Sequence, residues 1–476
     1  MSLIVNLPGD TCNEILLHWL HFRDICKIDT AIANQNIRKQ YLTFLQTLTG
    51  LSFSFLSCNA VYEWFYCRNI KVVSLEVNSL CFRNTKLAFR VRYETVREIK
   101  VSYFGNALCD KKQMVEVINA CVFLQSLDCN YSLLTHVNVD LLSHLKFLSV
   151  LLNRSKQIVT EIEHIKSHCK RLDSLRFYSG CCECEAFLDI LRLNPALKTL
   201  SVTYAKLDVM DCLVQHCRYL EDINLETSCV SLSMISTFLR QRPAIQRFFV
   251  KNADNRLLFE KRDDQKKVML SSFKEEEVSE FLLQIHNIAD LEMIGNKYDF
   301  ESVLLGLKCL SKDTLTALRV GLCGIMDVKV LADLSLHFPL LSHLEIAIDG
   351  SKEIVELFRL ELGKRLTFLK IFGSPEHLDL TLILHICEVC PLLQSYKVQC
   401  VREEAEMINH FKEYVYHRYY LVPKALIEVN FPETIEGYSR RLRYVGGRFT
   451  SVGMEKYLTS EERLQRKPNL NYTTNG

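Results

Sequence analysis

The chain has 476 residues, 48% apolar and 24% charged, with 58 basic against 56 acidic side chains and a formal net charge of +2. This is the composition of an ordinary globular protein, long enough to bury a core without a disulfide or metal staple. It excludes a collagen-like or low-complexity chain, since Gly and Pro number only 16 and 9, and the charge balance argues against a protein wholly devoted to nucleic acid or an anionic membrane.

The opening, MSLIVNLPGD, has no basic n-region, and no run of about 18 uninterrupted apolar residues follows anywhere. The longest candidate, near Leu380 to Leu393, contains His385 and Glu388. The 20 cysteines therefore read as reduced thiols of a soluble protein of the cytoplasm or nucleus, with no membrane partner.

Residues 7–42 come first. Leu7-Pro8-Gly-Asp10 precedes apolar residues at helical spacing, Ile15-Leu16 and Trp19-Leu20, and Asp10 after a Pro is a helix start. Asp24 is placed to cap a second helix before Ile25 and Ile28. This pattern resembles the F-box, which begins Leu-Pro-x-Glu/Asp and runs through an aromatic-Leu pair to Asp-Leu. The resemblance implies a small helical unit over residues 1–45 that docks on a Skp-type adaptor of a cullin ubiquitin ligase. Leu7, Pro8, Ile15, Leu16, Leu20 and Ile25 would form the adaptor-facing surface. The spacing to Trp19-Leu20 is one residue long and the Val-Cys-x-x-Trp ending is absent. A helical cap on the first repeat is the competing reading.

A repeat occupies most of the chain. Its pattern is Leu172-Asp-Ser-Leu175-Arg-Phe177, Leu197-Lys-Thr-Leu200-Ser-Val202 and Leu220-Glu-Asp-Ile223-Asn-Leu225, continuing through Ile245, Leu315, Leu341, Leu366 and Leu393. With a further copy at Leu124-Gln-Ser-Leu127 and degenerate copies at Val72, Val96, Leu148 and Ile288, successive first positions stand 23–28 residues apart except from 245 to 288. In an extended segment the second and third apolar positions share one face. The stretch before each motif, such as Met210 to Cys217, has helical spacing. The pattern resembles the leucine-rich repeat family, and Cys121, Cys169, Cys217 and Cys390, three residues before their Leu, resemble its cysteine-containing subclass. The implied fold is α/β: a curved horseshoe solenoid over residues 46–400, one uninterrupted arc from 70 to 400, with a parallel sheet on the concave face and helices on the convex face.

The long step contains an insertion, residues 251–274. Leu257-Leu-Phe259 and Val268-Met-Leu270 flank the polar Arg262–Gln265, which reads either as a hairpin leaving the solenoid, open to proteolysis, or as an exposed loop. Residues 401–456 read as a C-terminal cap, with a capping helix over 403–420, and residues 457–476 as a disordered tail. The Arg and aromatic cluster between Tyr438 and Phe449 reads as a solvated face of that cap; nucleic acid is the less favoured partner.

No motif of a common enzyme class is present in the sequence: no G-x-G-x-x-G, G-x-x-x-x-G-K-[ST], H-E-x-x-H or G-x-S-x-G. Of two Cys-x-x-Cys pairs, Cys181/Cys184 could recruit His164 and His168, but an intervening strand of about 20 Å separates them, and thiols without a metal are the expectation. A non-catalytic interaction protein without cofactor follows. It is either the substrate-recognition subunit of a Skp–cullin–F-box type ligase or a repeat scaffold that binds a protein or nucleic-acid partner with no ubiquitin link. The expected target surface is a strip on the concave face of the N-terminal half: Tyr103, Tyr131, Arg176, Tyr178 and Tyr204, since Tyr and Arg dominate binding hot spots. Strand propensity alone would also place Tyr there. Phe249, Arg319 and Phe372 continue the strip less contiguously.

Overall fold

In the computed structural model the repeat becomes a ladder of strands with helices between them. The structure describes residues 22–47, 52–53, 67–68, 73–78, 93–102, 111–151, 158–178, 185–205, 208–227, 230–252, 255–295, 298, 300–320, 325–326, 328–348, 358, 361–373, 386, 389–390, 392–399, 426–430, 438–445 and 448–456. They fall into two compact units: residues 1–229 with 242–245, and residues 230–241 with 246–476. Each is described by itself.

The first unit opens with helices α1 (Phe22–Ala31) and α2 (Gln35–Thr47). Asn34 caps α2, its Oδ1 accepting from the backbone N–H of Asn36 and Ile37 at 2.9 and 3.2 Å. Asp24, expected ahead of the second helix as its cap, lies inside α1 instead. The pair buries Ile32, Tyr41 and Leu45. It is locked by Asp29, which is 0% exposed. One carboxylate oxygen accepts from Arg38 Nε at 2.8 Å and the other from Arg68 Nε at 3.1 Å. A carboxylate removed from water is tolerable only when paired this fully.

Strands β1 (Ser52–Phe53), β2 (Ser74–Asn78), β3 (Glu98–Ser102), β4 (Ser126–Asn130), β5 (Phe147–Leu151), β6 (Ser174–Tyr178), β7 (Thr199–Ala205) and β8 (Asp222–Thr227) follow. Each pairs in parallel with the next. The register puts like beside like. Leu75, Ile99, Leu127, Leu148, Leu175, Leu200 and Ile223 form one row, and all are buried. Cys129, Val150, Phe177, Val202 and Leu225 form a second buried row.

That register corrects one repeat boundary. The sequence reading opens a repeat at Leu148, yet Leu148 pairs with Leu127 and Leu175, which are second positions. The first position is the buried Leu145, giving the complete motif Leu145-Lys-Phe-Leu148-Ser-Val150 with steps of 21 and 27 residues on its two sides.

Helices α3 (Lys111–Ala120), α4 (Tyr131–Leu134), α5 (Val139–His144), α6 (Ile158–His168), α7 (Glu185–Leu193) and α8 (Asp208–His216) connect these strands. Helix α7 buries Ala186, Phe187, Leu188, Ile190 and Leu191, the three-and-four spacing of an amphipathic helix. Phe187 meets Phe177 of β6 edge to face, with centroids 5.4 Å apart. Asn194, buried in the next turn, donates to the carbonyls of Cys169 and Ile190 at 3.0 and 2.8 Å and accepts from the N–H of Leu172 at 2.8 Å. One side chain thus satisfies three backbone groups of two repeats. The motif cysteines Cys121, Cys169 and Cys217 are fully buried, and burial pushes each thiol up to about 12, so they serve as small apolar fillers.

The second unit contains α9 (Leu232–Gln241), β9 (Arg247–Lys251), β10 (Arg256–Arg262), β11 (Gln265–Ser271), α10 (Glu275–Leu282), β12 (Ile288–Ile294), α11 (Phe300–Leu310), β13 (Ala317–Arg319), β14 (Ile325–Met326), α12 (Val328–His337), β15 (His343–Ile348), α13 (Glu361–Arg365), β16 (Phe368–Gly373), β17 (Ser395–Gln399), β18 (Leu426–Asn430), β19 (Tyr438–Val445) and β20 (Arg448–Lys456). From β11 to β18 the ladder is parallel, β13 and β14 both pairing with β15. Strands β18, β19 and β20 close it antiparallel. The mixed α/β architecture, a long and mostly parallel open sheet with helices between successive strands, fits a leucine-rich repeat.

The insertion is a hairpin, but it does not leave the sheet. Strand β10 pairs antiparallel with β9 and with β11, and β11 pairs parallel with β12. Two added strands reverse the chain direction twice, so the parallel repeat resumes where it stopped. Leu257, Phe259, Val268 and Leu270 continue the buried rows. Asp263 makes the turn at φ 54°, a left-handed conformation that Asp tolerates. The expected capping helix over 403–420 and the tail over 457–476 lie outside the described residues.

A hairpin spliced into the sheet should behave as core. Leu257→Ala should therefore cost about 2–5 kcal/mol in a denaturant titration; a loss under about 0.5 kcal/mol, the range of a surface substitution, would contradict the splicing.

Candidate functional site

One side of each strand is committed to the core, so function falls to the other. In every repeat that side is led by the residue between the second and third apolar positions. In the first unit this row reads Lys100, Asp128, Ser149, Arg176, Ser201 and Asn224 across β3 to β8. Arg176 is exposed, and its guanidinium stands 5.3 Å from the centroid of the Phe147 ring, a cation–π arrangement. Two residues on, Tyr178 is 41% exposed and pairs directly with Leu151, 47% exposed. Ser149, at the centre of this row, is buried, and its hydroxyl has no hydrogen-bond partner among the described groups.

In the second unit the same face carries a charge ladder. Asp290 on β12 pairs with Arg319 on β13, and Lys267 of β11 stands 4.0 Å from the other Asp290 oxygen. Arg319 Nε lies 3.4 Å from Glu345 Oε1 on β15, and Lys370 Nζ on β16 lies 3.3 Å from Glu345 Oε2. His343 Nε2 is 3.2 Å from both Arg319 Nε and Glu345 Oε1. That nitrogen can accept from the first or donate to the second, not both at once. The His343 ring stacks on Phe368 at 3.9 Å and 4°, and Lys370 lies over Phe372 at 4.5 Å. Opposite charges directly across neighbouring strands stabilise a sheet. Half-burial alone would raise the Glu345 carboxyl, but His343 and Lys370 outweigh it and hold the group below the ordinary carboxylate range. Burial would likewise lower Arg319, and Asp290 with Glu345 raises it instead.

The expected target strip is only partly assembled among the described residues. Arg176 and Tyr178 share one strand and one face of it. Tyr131 is not on a strand: it is the first residue of α4, whose cap Asn130 accepts from Ser132 N at 3.0 Å. Tyr204 is on β7 where the register with β8 slips between Thr203 and Ala205, so it opposes no residue of β8. Tyr103 lies outside the described residues. Tyr131 and Tyr204 stand eighth in their repeats, whereas the residues that line up from strand to strand stand fifth. In the second unit the fifth positions Glu292, Arg319, Glu345 and Lys370 form one row.

Of the adaptor-facing set, Ile25 is on α1, and Leu7, Pro8, Ile15, Leu16 and Leu20 lie outside the described residues. The sequence reading did not single out Asp29, which organises the described part of this segment. Among the described residues no three His, Cys, Asp or Glu side chains are grouped to hold a metal. His164 and His168 touch edge to face on α6 with ring centroids 4.8 Å apart, while Cys181 and Cys184 lie outside the described residues. The Arg-rich segment 438–449 forms β19 and the start of β20. No helix among the described residues is long and apolar enough to cross a membrane.

No family model matches the chain, and no curated protein matches it. Among solved structures, it is similar to the leucine-rich repeat-containing protein LegL7 of Legionella pneumophila, at 10% identity and a TM-score of 0.26, covering 76% of this chain and 96% of that one. A likeness at that score carries no argument, and the repeat architecture rests on the ladder itself.

The ladder makes one electrostatic prediction. A carboxyl held low in the folded state adds stability that is present above its unfolded value, about 4.3, and is lost as the pH falls through its folded value. Glu345→Gln should therefore cost about 1–2 kcal/mol at neutral pH. That cost should shrink in acid, as thermal midpoints of the two proteins across pH converge. A difference constant with pH would contradict the ladder.

Proposed function

We propose that the chain is a non-catalytic protein-interaction scaffold, and that it serves as the substrate-recognition subunit of a Skp–cullin–F-box type ubiquitin ligase. The observation that carries the scaffold reading is the two-sided strand. One side is buried row against row, and the other presents Arg176, Tyr178 and Leu151 in one unit and the charge ladder in the other. Large aromatic and Arg side chains held on a rigid sheet lose little entropy on binding, which suits them to a protein target. The adaptor reading rests on the Leu7-Pro8 opening and the helical segment after it, with Leu7, Pro8, Ile15, Leu16, Leu20 and Ile25 as the docking set.

A second reading, a repeat scaffold with no ubiquitin link, has one observation in its favour. Asp29 and Gln46 tie α1 and α2 to Arg68, as a cap on the first repeat would be tied.

Co-precipitation with a purified Skp-type adaptor separates the two. The full chain should retain the adaptor, and Leu16→Asp with Leu20→Asp should reduce retention at least about tenfold, 1.4 kcal/mol, with the thermal midpoint unchanged. Failure of the unaltered chain to retain the adaptor would exclude the ligase reading.

A further inference from the structure

The spliced hairpin gives the second unit a surface unlike that of β12, β13, β15 and β16. On β12, β13, β15 and β16 the partly buried charges neutralise one another through Asp290, Arg319, Glu345 and Lys370. On β9, β10 and β11 cations outnumber carboxylates, with Lys267 reaching Asp290 of β12 at 4.0 Å. The side opposite the buried Phe248, Val250, Leu257, Phe259, Val268 and Leu270 carries Arg247, Lys251, Arg256, Arg262 and Lys267 against one carboxylate, Glu260. Glu260 is 3.7 Å from Arg247. Arg256 and Arg262 are exposed, and Lys251 stands directly opposite Arg256, a like-charge pairing that sheets ordinarily avoid.

Between these cations runs an apolar row. Phe249 pairs with Leu258 and Leu258 with Met269, all three partly exposed. Ile294 of β12, 38% exposed, pairs with Ser271 at its edge. Neither the row nor its basic frame exists without the hairpin, since Arg256, Leu258, Arg262, Lys267 and Met269 all belong to it.

We propose that this face of β9–β10–β11 is a docking site for an acidic protein segment that presents an apolar side chain. The proposal rests on the scaffold reading above and deepens it by naming the partner's chemistry. Charge complementarity selects the occupant. The exposed Arg256 and Arg262 offer charge-assisted hydrogen bonds to carboxylates, while Phe249, Leu258 and the adaptable Met269 accept an apolar anchor. A single-stranded nucleic acid would need a platform of aromatic faces, and this row holds one aromatic ring.

The test uses the full chain and a fluorescently labelled synthetic probe, a short Asp/Glu-rich peptide with a central Leu-Phe pair, read by anisotropy. Three comparison probes are the same peptide with Ala-Ala at its centre, its Lys/Arg counterpart, and a labelled oligothymidylate. The acidic Leu-Phe peptide should bind, more weakly as salt rises, and at least about tenfold more tightly than any comparison probe. Arg256→Glu with Arg262→Glu, and separately Leu258→Asp, should each weaken it at least about tenfold at an unchanged thermal midpoint. Should the charge reversals unfold the chain, Arg256→Gln with Arg262→Gln replaces them. Binding indifferent to probe charge, tighter binding of the oligonucleotide, or folded variants that bind as the unaltered chain does would each overturn the proposal. Adaptor retention, measured on the same variants, should not change. A failed peptide arm with adaptor retained therefore sinks this site alone, and a failed adaptor arm leaves it standing.

Discussion

Everything in the molecule depends on one constraint: a single strand–helix repeat cannot bury its own apolar face. Its second and third apolar residues are covered only when the neighbouring repeat places equivalent residues beside them. Burying a Leu or Ile side chain is worth about 1.5–3 kcal/mol, so each row gains with every neighbour added. Leu127, Leu148, Leu175, Leu200 and Ile223 are all buried for this reason. A shift of one residue in any strand would turn its whole apolar set outward. Register is therefore over-determined, and the polar turn elements, such as Asn194 with its three backbone partners, reinforce it.

The same constraint decides what an insertion is allowed to do. A single added strand would leave the chain running the wrong way for the next repeat. A hairpin adds two, and its alternating sequence offers Leu257, Phe259, Val268 and Leu270 to the existing rows. What the insertion adds freely is the opposite side, where no row has to be matched. That is where the second unit places the exposed Arg256 and Arg262 around Phe249, Leu258 and Met269, while Asp290, Arg319, Glu345 and Lys370 on the strands beside it answer one another.

The repeat was legible in the sequence because period-two and helical spacings are direct consequences of backbone geometry. The buried positions could be named from it without a structure. Three things were not legible, each for a physical reason. Leu145 was passed over because an even step pointed to Leu148, and only pairing reveals which Leu faces which. The hairpin's place in the sheet was hidden because alternation reports a two-faced strand, not the partner it pairs with. Asp29 could not be recognised because its partners, Arg38 and Arg68, lie 9 and 39 residues away and no local pattern links them. For the site, residue type singles out Arg176 and Tyr178, which share one strand, while Tyr131 and Tyr204 fall out of line with them because strand ends are set by caps and register slips that a period does not encode.

The central claim is that the insertion is part of the ladder. Native-state hydrogen exchange on the full chain tests it most directly, because amides paired in a sheet open only when that part of the structure opens. The backbone N–H groups of β10 and β11 should exchange as slowly as those of β12 and β15, with the turn at Asp263 and Asp264 exchanging faster. Rapid exchange throughout residues 256–271, while β12 and β15 stay protected, would mean that the hairpin stands apart from the sheet and the account is wrong.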